Sequence, residues 1–198
     1  FWLPRERGAT KPEPIQKQLT SNPPETAVHC AAISPDGKQL AFADPTGTYL
    51  RAIQTGESHR LLPAETLDVT SISWFPDGTR MAMTAISPTQ RAVSIWTVAI
   101  HDGTPHKLRD YAIAGPITPD GSRLLFINLE MQPQGWIQHG VWVMGTDGAD
   151  AHEVLPWKEN LDYQSVAWSP DGKGILFVLA GDPGGLVQGI LGISDLTG

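Results

Sequence analysis

The chain has 198 residues, is 40% hydrophobic and carries a formal net charge of −7. That apolar content excludes a disordered chain, and an acidic balance without a basic stripe excludes nucleic acid as the expected partner. A single cysteine, Cys30, excludes an internal disulfide, and no apolar run reaches membrane-spanning length.

The opening Phe1-Trp2-Leu3-Pro4-Arg5-Glu6-Arg7 pairs aromatics with arginines, as at the exit of a membrane helix; an arbitrary boundary is the alternative reading. Residues 1–14, ending in Lys11-Pro12-Glu13-Pro14, read as a juxtamembrane-like extended linker. Ile15–Thr20 predicts a lone outer strand, closed by the breaker Asn22-Pro23-Pro24. Four repeat units follow. Unit one (27–63) predicts strands near 28–33, 39–43, 48–53 and 58–62; unit two (69–109) near 69–74, 80–86, 93–99 and 105–108. Unit three (113–156) predicts strands near 113–117, 123–128, 140–145 and 151–155, and unit four (164–198) near 164–168, 174–179 and 188–194. Leu50, Trp96 and Trp142 align in the third strands, and His59, His106 and His152 align in the fourth.

One tetrapeptide punctuates every unit. Ser34-Pro35-Asp36-Gly37 returns as Phe75-Pro76-Asp77-Gly78, Thr118-Pro119-Asp120-Gly121 and Ser169-Pro170-Asp171-Gly172. The spacing, roughly forty to fifty residues, marks a repeat architecture. Proline presets the first corner of a turn, aspartate suits the next position, and glycine supplies the left-handed residue that closes a hairpin. These aspartates are therefore read as structural. Thr55-Gly56, Asp102-Gly103 and Asp147-Gly148 mark the turn between third and fourth strands. Four short strands per unit predict an all-β chain, a β-propeller of about four four-stranded blades.

The strings Ala31-Ala32-Ile33-Ser34-Pro35-Asp36-Gly37-Lys38, Trp74-Phe75-Pro76-Asp77-Gly78-Thr79 and Trp168-Ser169-Pro170-Asp171-Gly172-Lys173 resemble the TolB-like, WD-like β-propeller repeat. The resemblance covers nearly everything from Ile15 to the end. It is specific for fold and poor for function. It implies one of three settings: the C-terminal, often membrane-tethered propeller of a bacterial serine/threonine kinase or winged-helix regulator, the periplasmic TolB protein, or the propeller of a prolyl-oligopeptidase-type peptidase. The first is the expected one, with an extracytoplasmic location and an upstream membrane helix outside the chain. Blades of this type usually number six to eight to a ring. Unit four lacks a fourth strand, so either Ile15–Thr20 closes a four-bladed ring beside Ile190–Asp195 or the chain is an open arc whose remaining blades lie elsewhere. The open arc is the expectation, with apolar surface exposed among Ile175, Phe177 and Leu191.

No catalytic residue, cofactor or metal site is assigned from the residues. There is no G-x-S-x-G elbow, no phosphate-binding loop and no H-E-x-x-H. His29-Cys30 are neighbours on a strand and point to opposite faces. Asp147, Asp150 and Glu153 read as a solvated turn, and Trp74, Trp96, Trp142 and Trp168 as packing between blades.

The loops joining second to third strands, and one blade to the next, share the face opposite the Pro-Asp-Gly turns. They vary in length and composition, so binding residues are expected there. The segments are 87–91, 109–111, 129–139 and 156–163, and the candidate binding residues are Arg91, Tyr111, Trp136, His139, Trp157, Lys158 and Tyr163. Trp136, Trp157 and Tyr163 are the expected aromatic anchors for a protein or peptide partner. A non-catalytic sensor or interaction propeller is the function these features predict. A substrate-gating peptidase propeller or a TolB-like transport component is the alternative.

Overall fold

The computed structural model describes residues 16–89, 92–132, 135–158, 161–181 and 188–195. The first unit forms a meander of β1 (Cys30–Ile33), β2 (Gln39–Asp44), β3 (Gly47–Ala52) and β4 (Ser58–Pro63). The second repeats it with β5 (Asp68–Trp74), β6 (Arg80–Ile86), β7 (Val93–Ala99) and β8 (Pro105–Asp110). The third has β9 (Ala112–Ile117), β10 (Arg123–Gln132), β11 (Gly135–Gly145) and β12 (His152–Leu155). The fourth has three strands among the described residues, β13 (Asp162–Trp168), β14 (Gly174–Gly181) and β15 (Gln188–Asp195). All pairings are antiparallel between sequence neighbours, as in the blades of a propeller.

The tetrapeptide turns behave as their chemistry dictates. Gly37, Gly78, Gly121 and Gly172 have φ of 71°, 67°, 74° and 70°. Each glycine N–H donates to the carbonyl three residues back, at 2.9 Å. In units one, three and four the hydroxyl that opens the motif donates to the aspartate, as Thr118 does to Asp120 at 2.6 Å. That aspartate also accepts the N–H two residues on, from Lys38, Ser122 or Lys173. Unit two has Phe75 in the hydroxyl's place. Its ring is buried, with the Arg80 guanidinium 3.9 Å from the ring centre.

Alternating residues of each second strand face opposite neighbours, and this builds the core between blades. Ala41, Ala43 and Leu50 of blade one meet Met81, Met83 and Val98 of blade two. Ala82 and Ile95 on the other side of blade two meet Leu124, Phe126 and Met144. Leu125 and Val143 of blade three meet Ile175 and Leu179 of blade four. Neighbouring blades are also tied by hydrogen bonds from their inner strands. Trp74 Nε1 donates to the Ala32 carbonyl and Trp168 Nε1 to the Pro116 carbonyl, each at 3.0 Å, and the Ala114 N–H donates to Thr84 Oγ1 at 2.8 Å.

Successive inner strands β1, β5, β9 and β13 touch in turn, and no comparable contact returns from β13 to β1. The chain is therefore an open propeller segment. Gln16–Thr20 is not a strand and pairs with nothing in the fourth sheet, so the predicted lone outer strand is not formed over those residues. The segment lies instead near blade one, where Asn22 Nδ2 donates to Asp44 at 2.8 Å and to the Thr26 carbonyl at 2.9 Å. Residues 1–14 and Ile15 lie outside the described residues.

Three expectations change in detail. The third-strand position shared with Trp96 and Trp142 belongs to Tyr49, not Leu50: Phe42, Met83 and Phe126 pair with Tyr49, Trp96 and Trp142. Among the described side chains of blade four, Leu176 and Ile193 are the exposed large apolar ones, whereas Ile175 is buried and Phe177 half-buried. Odd-numbered residues of β14 point back to blade three, so the even-numbered ones look outward; the Leu191 side chain lies outside the described residues. Finally, within the segment expected as a loop, 129–132 and 135–139 continue β10 and β11 as paired strand, with a register shift between Ile127 and Leu129.

Candidate functional site

An antiparallel meander places the β1–β2 and β3–β4 turns at one end of its sheet and all other connections at the other. The variable segments therefore share the face opposite Gly37, Gly78, Gly121 and Gly172. The β10–β11 hairpin runs toward that face, where Glu130 pairs with Ile137 and Met131 with Trp136.

On its β11 flank the hairpin carries an aromatic ledge. The His139 and Trp157 rings stack with centroids 6.2 Å apart and planes 10° from parallel. His139 Nε2 lies 3.2 Å from Glu130 Oε2 across the hairpin. Trp157 is 39% exposed, and Lys158 beside it is exposed. A short turn follows, in which the Leu161 N–H donates to the Lys158 carbonyl at 3.2 Å.

The ledge is held from below by Gly140, Gln138 and Tyr163. Gly140 has φ of 80°, and a Cβ there would come within 2.8 Å of the Leu155 carbonyl oxygen and 3.3 Å of the Trp157 nitrogen. Only glycine lets the chain leading to Trp157 pass this close to β11. Gln138 Oε1 accepts the Tyr163 N–H at 2.8 Å, and the Tyr163 hydroxyl donates to the Pro156 carbonyl at 2.8 Å. These bonds lock the hairpin, the 156–158 segment and β13 together. No local pattern marks Gln138 or Gly140, because the groups they meet, Tyr163 and residues 155–157, are brought beside them only by the fold.

Tyr163 is thus a support and not an exposed anchor. It is 3% exposed, and its ring meets Phe177 edge-on at 5.8 Å. Strand β13 begins at Asp162, earlier than expected, which turns Tyr163 inward to pair with Leu179. Burial, followed by the nearby Glu153 charge, raises its phenol pKa. Tyr111 sits on the other flank of the same sheet. Its N–H donates to the Val93 carbonyl at 2.7 Å and its carbonyl accepts from Leu129 at 2.8 Å. It is 47% exposed, with φ of 56°, a left-handed conformation uncommon for a bulky residue. The structure brings His139, Trp157 and Lys158 together with Tyr163 beneath them. Trp136 is placed by its backbone alone, and Arg91 lies outside the described residues. Among the described residues no three His, Cys, Asp or Glu side chains gather as a metal site.

No family model and no curated protein matches the chain. Solved structures do. TolB from Acinetobacter baumannii matches over 87% of this chain and 42% of its own, with 20% identity and a TM-score of 0.65. A putative TolB from Agrobacterium tumefaciens matches over 87% of this chain and 62% of its own, with 17% identity and a TM-score of 0.65. An oligogalacturonate lyase in complex with manganese matches over 83% and 49%, with 16% identity and a TM-score of 0.63. At these identities the likeness shows the TolB-like propeller fold alone, and the chain spans between 42% and 62% of the length of these structures.

Proposed function

We propose that the chain is part of a non-catalytic β-propeller that works as a sensor or protein-interaction module. In this reading it belongs to a larger bacterial, membrane-linked signalling protein, on the extracytoplasmic side. The observation that carries the proposal is the ledge of Trp157 on His139. An exposed aromatic stacked on a histidine that pairs with Glu130, with Lys158 next in the chain, suits an extended peptide with both apolar and charged side chains. Rigid aromatics among adaptable polar groups are what binding hot spots are made of. A TolB-like transport role is the second reading, favoured by the TM-score of 0.65 to TolB structures.

Selection of displayed peptides against the chain tests the proposal. Binders should be recovered whose affinity falls by about tenfold or more in Trp157→Ala, the loss expected of a hot-spot aromatic. Lys38→Ala, on the opposite face, should leave them unchanged. Binders indifferent to Trp157, or none at all, would overturn the assignment.

A further inference from the structure

We infer that Arg109 is a carboxylate-binding residue: at the junction of blades two and three its guanidinium takes an acidic side chain or the chain terminus of a partner peptide. This rests on reading the variable face as the binding face, and not on the Trp157 ledge.

The repeat shows that the fold does not call for an arginine here. Each complete third strand shifts register against its fourth, and the residue just before the shift pairs outward. Thr48 pairs with Leu62, Ile95 with Arg109 and Val141 with Leu155. Leu62 is 3% exposed and Leu155 6%, and both belong to the core between their own blade and the next. Blade two puts a permanent charge at the position where blades one and three bury a leucine.

The surroundings of Arg109 suit an anion. Its guanidinium carbon lies 4.9 Å from the Phe126 ring centre and 5.7 Å from that of Trp142. Such rings attract the cation but accept few of its hydrogen bonds. Arg109 Nε is shut off from solvent without a partner, and Nη2 has Asn128 Oδ1 at 3.4 Å. The residue as a whole is half-buried, so solvent still reaches it. Among the described residues no carboxylate lies within ion-pair distance of it, although the chain has a net charge of −7. Its neighbour Asp110 is turned to the Ser94 hydroxyl at 2.7 Å and the Lys107 ammonium at 3.0 Å. A partly desolvated cation of this kind is stabilised by a paired anion. One planar guanidinium matches a planar, singly charged carboxylate, whereas phosphate groups are taken by clusters of arginines. Tyr111 stands two residues beyond Arg109 as Trp157 stands two beyond Leu155. The exits of blades two and three thus each set an exposed aromatic on the same face, and the strained backbone of Tyr111 is of the kind held at ligand sites.

NMR of the Arg109 Nε–H in the 198-residue chain tests the site with small probes. N-acetylglutamic acid α-amide offers a side-chain carboxylate, N-acetylglycylalanine a terminal one, and N-acetylglutamine amide neither. At least one carboxylate should move the Arg109 signal saturably while the neutral amide leaves it in place, and the stronger of the two identifies the source. Arg109→Leu, which installs the residue of blades one and three, should keep the thermal midpoint and weaken the probe about tenfold or more, read on the backbone amides of Tyr111 and Asn128. Arg109→Lys keeps the charge without the planar fork and should also bind more weakly than the natural chain. Trp157→Ala should leave the probe response intact, so a failed ledge and a failed carboxylate site give different results. An Arg109 signal that neither carboxylate moves, an equal response to the neutral amide, a larger one to inorganic phosphate, or full probe affinity in Arg109→Leu would overturn the inference.

Discussion

At the scale of single residues, the tetrapeptide aspartates show how a surface carboxylate can be structural. Asp120 is held at a pKa of about 2, first by the Thr118 hydroxyl and then by the backbone and side chain of Ser122. Asp36 and Asp171 are lowered for the same reason, by Ser34 and Ser169. A carboxyl depressed on folding stabilises the native state above its ordinary value of 3.8, and that contribution disappears as pH falls from there toward about 2. Carboxyl-resolved NMR titration should therefore find Asp120 near 2, with Thr118→Val moving the midpoint upward. A native midpoint at the ordinary value would contradict the turn geometry. The same hydroxyls accept backbone N–H groups from Gln39, Arg123 and Gly174, so one side chain completes both halves of each turn.

At the scale of elements, the two glycine turns of a blade have different duties. Gly78 has φ of 67° with nothing within 4 Å of a would-be Cβ. Gly78→Ala should cost only the left-handed strain, about 1–2 kcal/mol. Gly103 has nearly the same φ, 68°, but a Cβ there would meet the Leu61 carbonyl oxygen of blade one at 2.6 Å. Gly103→Ala should therefore cost clearly more in a chemical melt. Equal losses would mean that the third turn does not rest on the preceding blade. Most strands of this kind were legible because each is half-buried between two neighbours and announces itself by alternation and by its turns. The β10–β11 extension was not legible. In sequence, Leu129-Glu130-Met131-Gln132 runs straight into Pro133, which argues against a strand, so a longer strand is not announced there. Tyr163 was misread for a related reason: its polar neighbours describe the loop before it, while its own side chain follows β13. Gly140 gave no warning either, since its constraint comes from residues 155–157, brought beside it only by the fold.

At the scale of the whole molecule, the repeat dictates a stack of blades but not whether the stack closes. The interfaces are graded: Met83 and Phe126 are fully buried between complete neighbours, while Phe177 is half-buried and Ile193 largely exposed. Phe177 faces Gly192 where the earlier blades have Tyr49, Trp96 or Trp142, and a Cβ at Gly192 would overlap its ring. Blade four thus joins the core by its front alone. Two of the sequence expectations, the stereotyped face and the variable face, follow from this stacking. The identity of the outward residues does not, because a one-residue change of parity exchanges Ile175 and Phe177 for Leu176. The central claim is that these are four stacked blades in an open arc, and that β15 has no outer partner among the described residues. Hydrogen exchange resolved by segment over the 198-residue chain tests it most directly. The account predicts strong protection in β2, β6 and β10, weak protection in β15 and none in Gln16–Thr20. Protection of β15 equal to that of β7, together with protection of Gln16–Thr20, would contradict it, because that pattern belongs to a ring closed by its own N-terminal strand.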